Sequence, residues 1–104
     1  MFVAIWEFLV RPEMLSQFDQ AYGPEGAWVR LFRQGEGYLR TELVRDVSVS
    51  LRYVTLDFWK SRDAYESSRE KYAVQYKEID VQCGELTERE EQIGWFEETL
   101  TDAT

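Results

Sequence analysis

A carboxyl group set among aromatic rings is the feature of this sequence best suited to chemistry. In the segment Leu51–Trp59, alternate positions place Tyr53, Thr55, Asp57 and Trp59 on one face of a predicted strand. A carboxyl group buried among rings has a raised pKa and can accept a proton near neutral pH. We therefore predict Asp57 as a catalytic base, Trp59 as a wall on which a flat substrate stacks, and Tyr53 as a substrate-binding residue of the same cavity.

Four residues elsewhere in the chain complete the candidate site. Arg40 and Tyr65 are candidate catalytic partners of the base, because a guanidinium or a phenol hydroxyl can stabilise an oxyanion. Trp6 is a candidate second stacking wall, and Trp28 is a candidate substrate contact at the mouth of the cavity. These residues are predicted to bind a small aromatic or hydrophobic molecule.

Each candidate also has a structural alternative. Asp57 could be an interface carboxylate paired with Arg40 or Arg52. Arg40 could form a cross-strand salt bridge, and the tryptophans could belong to the core or to an interface. Tyr65 begins a stripe of tyrosines at helical spacing, which is also the pattern of a helix packing face.

The composition excludes several classes of site and partner. The chain contains no His and no Asn, which excludes a zinc-histidine site, a haem histidine, a Ser-His-Asp triad and a Cys-His pair within one chain. Twelve basic and twenty acidic residues give a net charge of −8, which argues against nucleic acid or an anionic membrane as a partner. With no signal peptide evident and Cys83 unable to form an internal disulfide, we expect a cytoplasmic location.

Hydrophobic periodicity predicts the elements that position the candidate residues. Strands are predicted at Phe2–Val10, Tyr38–Asp46, Leu51–Trp59 and Gln92–Glu97. Helices are predicted at Pro12–Tyr22, at Ala27–Arg33 and at Ser61–Cys83, the last with a break near residues 69–72. Residues 85–91 are predicted to be a solvated acidic stretch. One domain is expected at residues 1–98, followed by a flexible tail at residues 99–104.

This order of elements predicts an α+β, ferredoxin-like split βαβ domain, with a four-stranded antiparallel sheet and helices on one face. Four Trp, six Tyr and six Phe supply more ring surface than one small core needs. The ring-bearing face around Asp57 is then predicted to be one that a single domain cannot cover. Pairing two such sheets would bury it, so a homodimer is expected, with the extra rings at the seam or in a pocket beside it.

With the strands placed, the chain resembles the antibiotic biosynthesis monooxygenase (ABM) domain of the dimeric α/β-barrel superfamily. The resemblance covers about residues 2–97 and includes the apolar first strand closing at Pro12 and the Gly37-Tyr38 start of the second strand. It also includes Trp59, Ser61, Ala64 and Tyr65, which look like the family's Trp-x-Ser-x-x-Ala-aromatic pattern.

The resemblance implies oxygenation without metal or flavin. In such enzymes an electron-rich phenol or quinol loses a proton and passes an electron to O₂, and the radical pair then couples. A cofactor-independent monooxygenase acting on a small aromatic or polycyclic phenol or quinol is therefore expected. The alternative is a non-catalytic dimeric α/β-barrel protein that binds a hydrophobic ligand. Ser68 stands where the haem-degrading branch has its iron ligand, and Ala4-Ile5-Trp6-Glu7 stands where the family often has an Asn.

Overall fold

The computed structural model describes residues 1–99, which contain four strands and four α-helices. The strands are β1 (Phe2–Val10), β2 (Tyr38–Arg45), β3 (Arg52–Trp59) and β4 (Thr87–Glu97). The helices are α1 (Leu15–Tyr22), α2 (Ala27–Phe32), α3 (Arg62–Lys71) and α4 (Ala73–Cys83), and a 3-10 turn at Pro12–Met14 precedes α1. The predicted tail, residues 99–104, lies outside the described residues apart from Thr99.

The strands form one antiparallel sheet in the order β2-β3-β1-β4. The expected α+β, ferredoxin-like architecture is confirmed, with the helices packed on one face of the sheet. The predicted break between the last two helices is also found, because Tyr72 leaves helical geometry at φ −110° and ψ 28°. Ser61 begins α3 by accepting a hydrogen bond from the Ala64 amide at 3.1 Å.

The prediction for the last strand is wrong at its start. β4 begins at Thr87, so most of the predicted solvated stretch belongs to the sheet. Thr87 pairs with Val10, and Glu90 pairs with Phe8. β4 is an edge strand in this sheet, and charged side chains are frequent on such strands because they discourage pairing with other chains.

The prediction of which sheet face is left uncovered is wrong: the helices cover the face that was predicted to be open. Tyr53, Thr55, Asp57 and Trp59 do share a face, but the helices cover it and all four residues are buried. The open face carries the alternate residues of β3, Val54, Leu56 and Phe58. A single domain therefore covers its ring-bearing face, and the apolar face is the one left open.

Buried rings fill the space between the helices and the sheet in two clusters. One surrounds Trp59, which has 0% exposure and whose ring centroid lies 5.2 Å from that of Tyr38 and 5.8 Å from that of Tyr65. The other surrounds Phe18, which contacts Phe8, Tyr22 and Tyr53. Much of the unusual aromatic content is therefore used inside one chain.

The turn before β2 brings this strand close to the start of α3. Gly37 adopts φ +91°, and a Cβ atom there would lie 2.7 Å from the Cβ of Ala64. Its carbonyl accepts a hydrogen bond from the Lys60 amide at 2.8 Å. Glycine is required here both by the left-handed backbone and by the close approach.

Candidate functional site

A cavity of about 80 Å³ lies between the helices and the covered face of the sheet. Its sheet side carries Trp6 and Phe8 from β1, together with Thr55 and Asp57 from β3 and Thr41 from β2. Its helical side carries the rings of Tyr22, Trp28, Phe32, Tyr65 and Tyr76. Rings therefore surround a small group of polar atoms, which is the usual composition of a small-molecule site.

Asp57 is the buried carboxyl group of this cavity, with 7% of its surface exposed. The Thr41 hydroxyl donates a hydrogen bond to Asp57 Oδ1 at 2.8 Å, and Thr41 Oγ1 lies 2.8 Å from the Tyr38 hydroxyl. Within the described residues Asp57 has no ion-pair partner. Burial raises the pKa of Asp57 from 3.8 to about 7, and the hydrogen bond from Thr41 opposes this rise.

Two further cavity residues carry polar atoms that are buried without a hydrogen-bond partner in the described chain. They are the hydroxyl of Tyr76 and the indole nitrogen of Trp28. Buried polar groups are nearly always hydrogen-bonded in native proteins. Burial also raises the pKa of Tyr76, which keeps its hydroxyl protonated and able to donate. Both atoms are fully buried, and the Ser68 hydroxyl also acts on Tyr76 and lowers its pKa, so a bound molecule reaches either group only if the side chain turns towards it.

Arg69 is the cation among the cavity-lining residues that the structure describes. Its Nη1 atom donates a hydrogen bond to the Tyr65 hydroxyl at 3.0 Å, and its guanidinium carbon lies 5.1 Å from the centre of the Tyr76 ring. The Tyr65 hydroxyl also accepts a hydrogen bond from Trp95 at 3.3 Å. Arg69 thus links two of the tyrosines that face the cavity.

Two carboxyl groups stand at another part of the lining. Asp80 comes from α4 and Glu90 from β4. Burial raises the pKa of Glu90, and the charge of Asp80 raises it further. Burial also raises the pKa of Asp80, against the opposing charge of Arg69.

A second, wider hollow of about 280 Å³ adjoins the cavity. Trp6, Tyr65 and Arg69 line both spaces. Gln92 and Trp95 of β4 form the other side of this hollow. The shared residues make it a route along which a molecule could reach the cavity from the side of β4.

The structure brings four of the predicted residues to the cavity. Asp57, Tyr65, Trp6 and Trp28 all line it. Their predicted roles in catalysis and binding remain predictions, because the geometry gives their positions and not their activity.

The other three predicted residues are not in the cavity lining. Tyr53 and Trp59 lie on the predicted face but pack in the core beneath the helices, which for Trp59 is the core alternative. Arg40 lies on the opposite face of the sheet. The pairing of β2 with β3 sets Thr41 opposite Asp57 and Arg40 opposite Phe58, whose ring centre lies 3.9 Å from the guanidinium carbon.

Several cavity residues were not predicted from the sequence, chiefly Thr41, Tyr76, Arg69, Asp80 and Glu90. Tyr76 belongs to the stripe of tyrosines that begins at Tyr65. The helical spacing of this stripe also fits a helix packing face, so it does not mark Tyr76 as a cavity residue. The position of Thr41 depends on an irregular register between Tyr38 and Arg40, which alternation alone does not reveal.

The described residues hold no group of three or more His, Cys, Asp or Glu side chains placed to bind a metal ion. None of the helices in residues 1–99 is long and apolar enough to cross a membrane. Cys83 is buried, and burial raises the pKa of its thiol, which lowers its reactivity.

A family model described as "Antibiotic biosynthesis monooxygenase" matches residues 1–76, from β1 into α4. The chain belongs to this family. The matched region includes Asp57, Thr41, Tyr65 and Tyr76, whereas Asp80 and Glu90 lie beyond it. No curated protein matches the sequence.

Solved structures of low sequence identity show the same ABM fold. Rv0793 from Mycobacterium tuberculosis has a TM-score of 0.72 at 21% identity, covering 99% of this chain and 98% of that chain. SnoaB from Streptomyces nogalater, a cofactor-independent oxygenase, has a TM-score of 0.63 at 18% identity, covering 99% and 97%. A conserved protein from Methanosarcina mazei has a TM-score of 0.70 at 15% identity, covering 94% and 92%.

The burial of Asp57 predicts how this protein's stability depends on pH. A carboxyl group whose pKa rises from 3.8 to about 7 on folding stabilises the fold below pH 4, and this contribution is lost as the pH rises through 7. We expect Asp57→Asn to raise the free energy of unfolding by up to about 4 kcal/mol above pH 8, and to change it little below pH 4. Urea unfolding across this range measures the difference.

Asp63→Asn is the matched control, because Asp63 is exposed at the start of α3. Its free energy of unfolding should differ from the parent's by less than about 1 kcal/mol across this range. A pH-independent effect of Asp57→Asn would contradict the raised pKa.

Proposed function

We propose that this protein is a cofactor-independent monooxygenase that oxidises a small phenol or quinol, and that it acts as a homodimer in the cytoplasm. The observation that carries the oxygenase proposal is Asp57, a buried carboxyl group with a pKa near 7 in a cavity lined by rings. Membership of the ABM family supports the reaction class. The description of SnoaB as a cofactor-independent oxygenase supports the absence of a cofactor requirement.

Proton abstraction is the first step that Asp57 can perform. Its carboxylate accepts the hydroxyl proton of the substrate, whose phenolate is a much better electron donor than the phenol. With a pKa near 7, about half of the Asp57 carboxyl groups are ionised at neutral pH, and each carboxylate binds a proton more tightly than an ordinary Asp does. The Thr41 hydroxyl holds the Oδ1 atom in place while leaving Oδ2 without a hydrogen bond from any described residue.

The remaining steps conserve atoms and electrons without a cofactor. The phenolate passes one electron to O₂, and the phenoxyl radical and superoxide combine at a ring carbon that bears a hydrogen. The proton held by Asp57 returns to the peroxide, the O–O bond breaks, and the ring hydrogen leaves with the outer oxygen as water. One phenol and one O₂ thus give one quinone and one water.

The cavity supplies the electrostatic conditions for these steps. The Tyr76 side chain lines the cavity, and we assign its hydroxyl to the phenolate oxygen or to the peroxide, which it reaches by turning away from Ser68. The Tyr65 hydroxyl, held by Arg69, is the second donor in reach of the cavity. We therefore assign the stabilisation of the oxyanion to these two tyrosines, whereas the sequence predicted it for Arg40 and Tyr65.

The size of the cavity favours a single-ring substrate. A cavity of about 80 Å³ is about half the roughly 150 Å³ that accommodates benzene in an engineered protein core, so a single ring already fills it and extends towards the adjoining hollow. A polycyclic substrate would require Trp6 or Tyr65, which separate the cavity from the adjoining hollow, to move. We therefore favour a small phenol over a polycyclic one.

Turnover is tested with two phenols that have an open para position, m-cresol and α-naphthol. Uptake of ¹⁸O₂ in metal-free buffer, followed by mass spectrometry, should show one labelled oxygen in each quinone, with m-cresol as the faster substrate. We expect kcat/KM to rise as the pH passes about 7, and Asp57→Asn to lower it by at least about 100-fold. Tyr76→Phe should lower kcat/KM by a smaller factor.

Asp63→Asn serves again as the control and should retain the parent's rate. An unchanged rate in Asp57→Asn would contradict the assigned base. Binding of these phenols without oxygen uptake would favour the alternative of a non-catalytic ligand-binding protein.

The open face of the sheet supports the homodimer. Near its centre Leu56 pairs with Ile5, and Phe58 pairs with Val3. Val44 and Phe96 extend this apolar surface to the two edge strands, and both are exposed. An apolar sheet face of this extent is typically covered in a soluble protein. A second copy of the chain, placed face to face, would cover it as the dimeric α/β barrel requires.

Sedimentation equilibrium tests the assembly. We expect a mass of twice the 12.4 kDa chain at micromolar concentration, and a shift to the monomer in Leu56→Glu, because a carboxylate would be buried at the centre of the interface. Val81→Glu is the control, since Val81 is an exposed apolar residue of α4 on the helical side. A monomeric parent protein would contradict the dimer.

A further inference from the structure

A hydrogen-bonded bridge crosses the boundary between the cavity and the adjoining hollow. Trp95 Nε1 donates a hydrogen bond to the Tyr65 hydroxyl at 3.3 Å, and Arg69 Nη1 donates to the same oxygen at 3.0 Å. Tyr65 belongs to α3 and lines both spaces, whereas Trp95 belongs to β4 and lines the hollow. The bridge therefore joins the helical wall of the hollow to its sheet wall where the two spaces meet.

An irregularity in β4 directs Trp95 into the hollow. The pairing of β4 with β1 shifts by one residue between Gln92 and Gly94, which leaves Ile93 as an extra residue. In a regular strand, residues three positions apart point to opposite faces. Because of the extra residue, Gln92 and Trp95 share the face that the helices cover, and both line the hollow.

The two rings of the bridge differ in how firmly they are held. Tyr65 is 6% exposed, and its ring centroid lies 5.1 Å from that of Phe2 and 5.8 Å from that of Trp59. Trp95 is 53% exposed and belongs to an edge strand. The hydrogen bond thus ties an indole that is open to solvent on one side to a phenol packed in the core. The indole is the part that can move when the bond breaks.

A second ring on the ligand has to pass this bridge. A single ring already fills the cavity of about 80 Å³, so a fused second ring extends into the hollow of about 280 Å³. The hollow offers such a ring apolar walls, since Phe2, Trp6 and Trp95 line it. The hydrogen bond between Trp95 and Tyr65 must break before these walls are reached.

We propose that Trp95 is a specificity-determining residue, whose hydrogen bond to Tyr65 closes the passage from the cavity to the hollow and disfavours phenols with a fused second ring. This assignment rests on the proposed function in taking the cavity as the binding site for a phenol, but it concerns binding and not oxygen transfer. Trp95 lies beyond residues 1–76, which the family model matches.

Isothermal titration calorimetry with m-cresol and α-naphthol tests the selection. The two ligands share a phenol hydroxyl and differ chiefly in the second ring, so the ratio of their affinities cancels changes in the contacts of the hydroxyl. We expect Trp95→Phe and Tyr65→Phe each to shift this ratio roughly fivefold in favour of α-naphthol, which is the factor that one hydrogen bond between neutral groups contributes.

The two variants separate the hydrogen bond from the size of the side chain. Trp95→Phe removes the N–H donor and also shortens the ring system, whereas Tyr65→Phe removes the acceptor and leaves Trp95 intact. Tyr72→Phe is the matched control, because its hydroxyl donates a hydrogen bond to the Gln34 carbonyl at 3.1 Å and lines neither space. Its affinity ratio should equal the parent's. Circular dichroism checks that the three variants are folded.

The hydrogen bond itself is measured without a ligand. In protein labelled with ¹⁵N the four tryptophans give four indole resonances, and Trp95→Phe assigns the one from Trp95. We expect the Trp95 indole hydrogen to exchange with solvent several-fold more slowly in the parent than in Tyr65→Phe, and at the parent's rate in Tyr72→Phe. Equal rates in the parent and in Tyr65→Phe would overturn the inference.

The inference is also overturned if the affinity ratio shifts in Trp95→Phe alone, if it shifts in neither variant, or if it shifts in Tyr72→Phe as well. Failure of both phenols to bind at millimolar concentration would overturn it too. Oxygen uptake is measured separately. A shifted ratio without uptake of O₂ would contradict the proposed oxygenation alone, and uptake of O₂ with an unshifted ratio would contradict this inference alone.

Discussion

The desolvation of the Asp57 carboxyl group is the constraint on which the site depends. The side chain is buried among rings, receives a hydrogen bond from Thr41 and has no ion-pair partner among the described residues. An ionised carboxylate in such a place is costly, so its proton affinity rises. An arginine beside it would have removed that effect. The absence of such a pair in residues 1–99 leaves Asp57 with the raised pKa on which its proposed role as a base depends.

The two faces of the sheet differ in what they contact: one packs against the helices around the cavity, and the other is open. On the covered face, Trp59 and Phe18 fill the core, and the space left above Asp57 becomes the cavity. On the open face, Arg52 pairs with Glu7 and Asp46, and Arg89 pairs with Glu7, beside the apolar residues of β1 and β3. These ion pairs neutralise several charges of the face within one chain. The apolar remainder is the surface that the proposed second copy would cover.

Alternation along the strands was sufficient to predict the sheet, the shared face of Asp57 and Trp59, and the placement of Trp6 in the cavity. It could not predict which face the helices cover: Tyr53 and Trp59 lie on the covered face, where they are buried in the core and do not line the cavity. It also could not predict register. An irregularity near Leu39 sets Thr41, and not Arg40, beside Asp57. Asp80 and Glu90 meet only through tertiary packing, which no local pattern records.

The most direct test of this account is the titration of Asp57 itself. Carbon-13 NMR of aspartate-labelled protein, with Asp57→Asn used to assign the resonance, reports the ionisation of this carboxyl group without any substrate. The account predicts a pKa of about 7 for Asp57. An ordinary pKa near 4 would show that the carboxylate is solvated or paired with a cation, and would contradict the central claim.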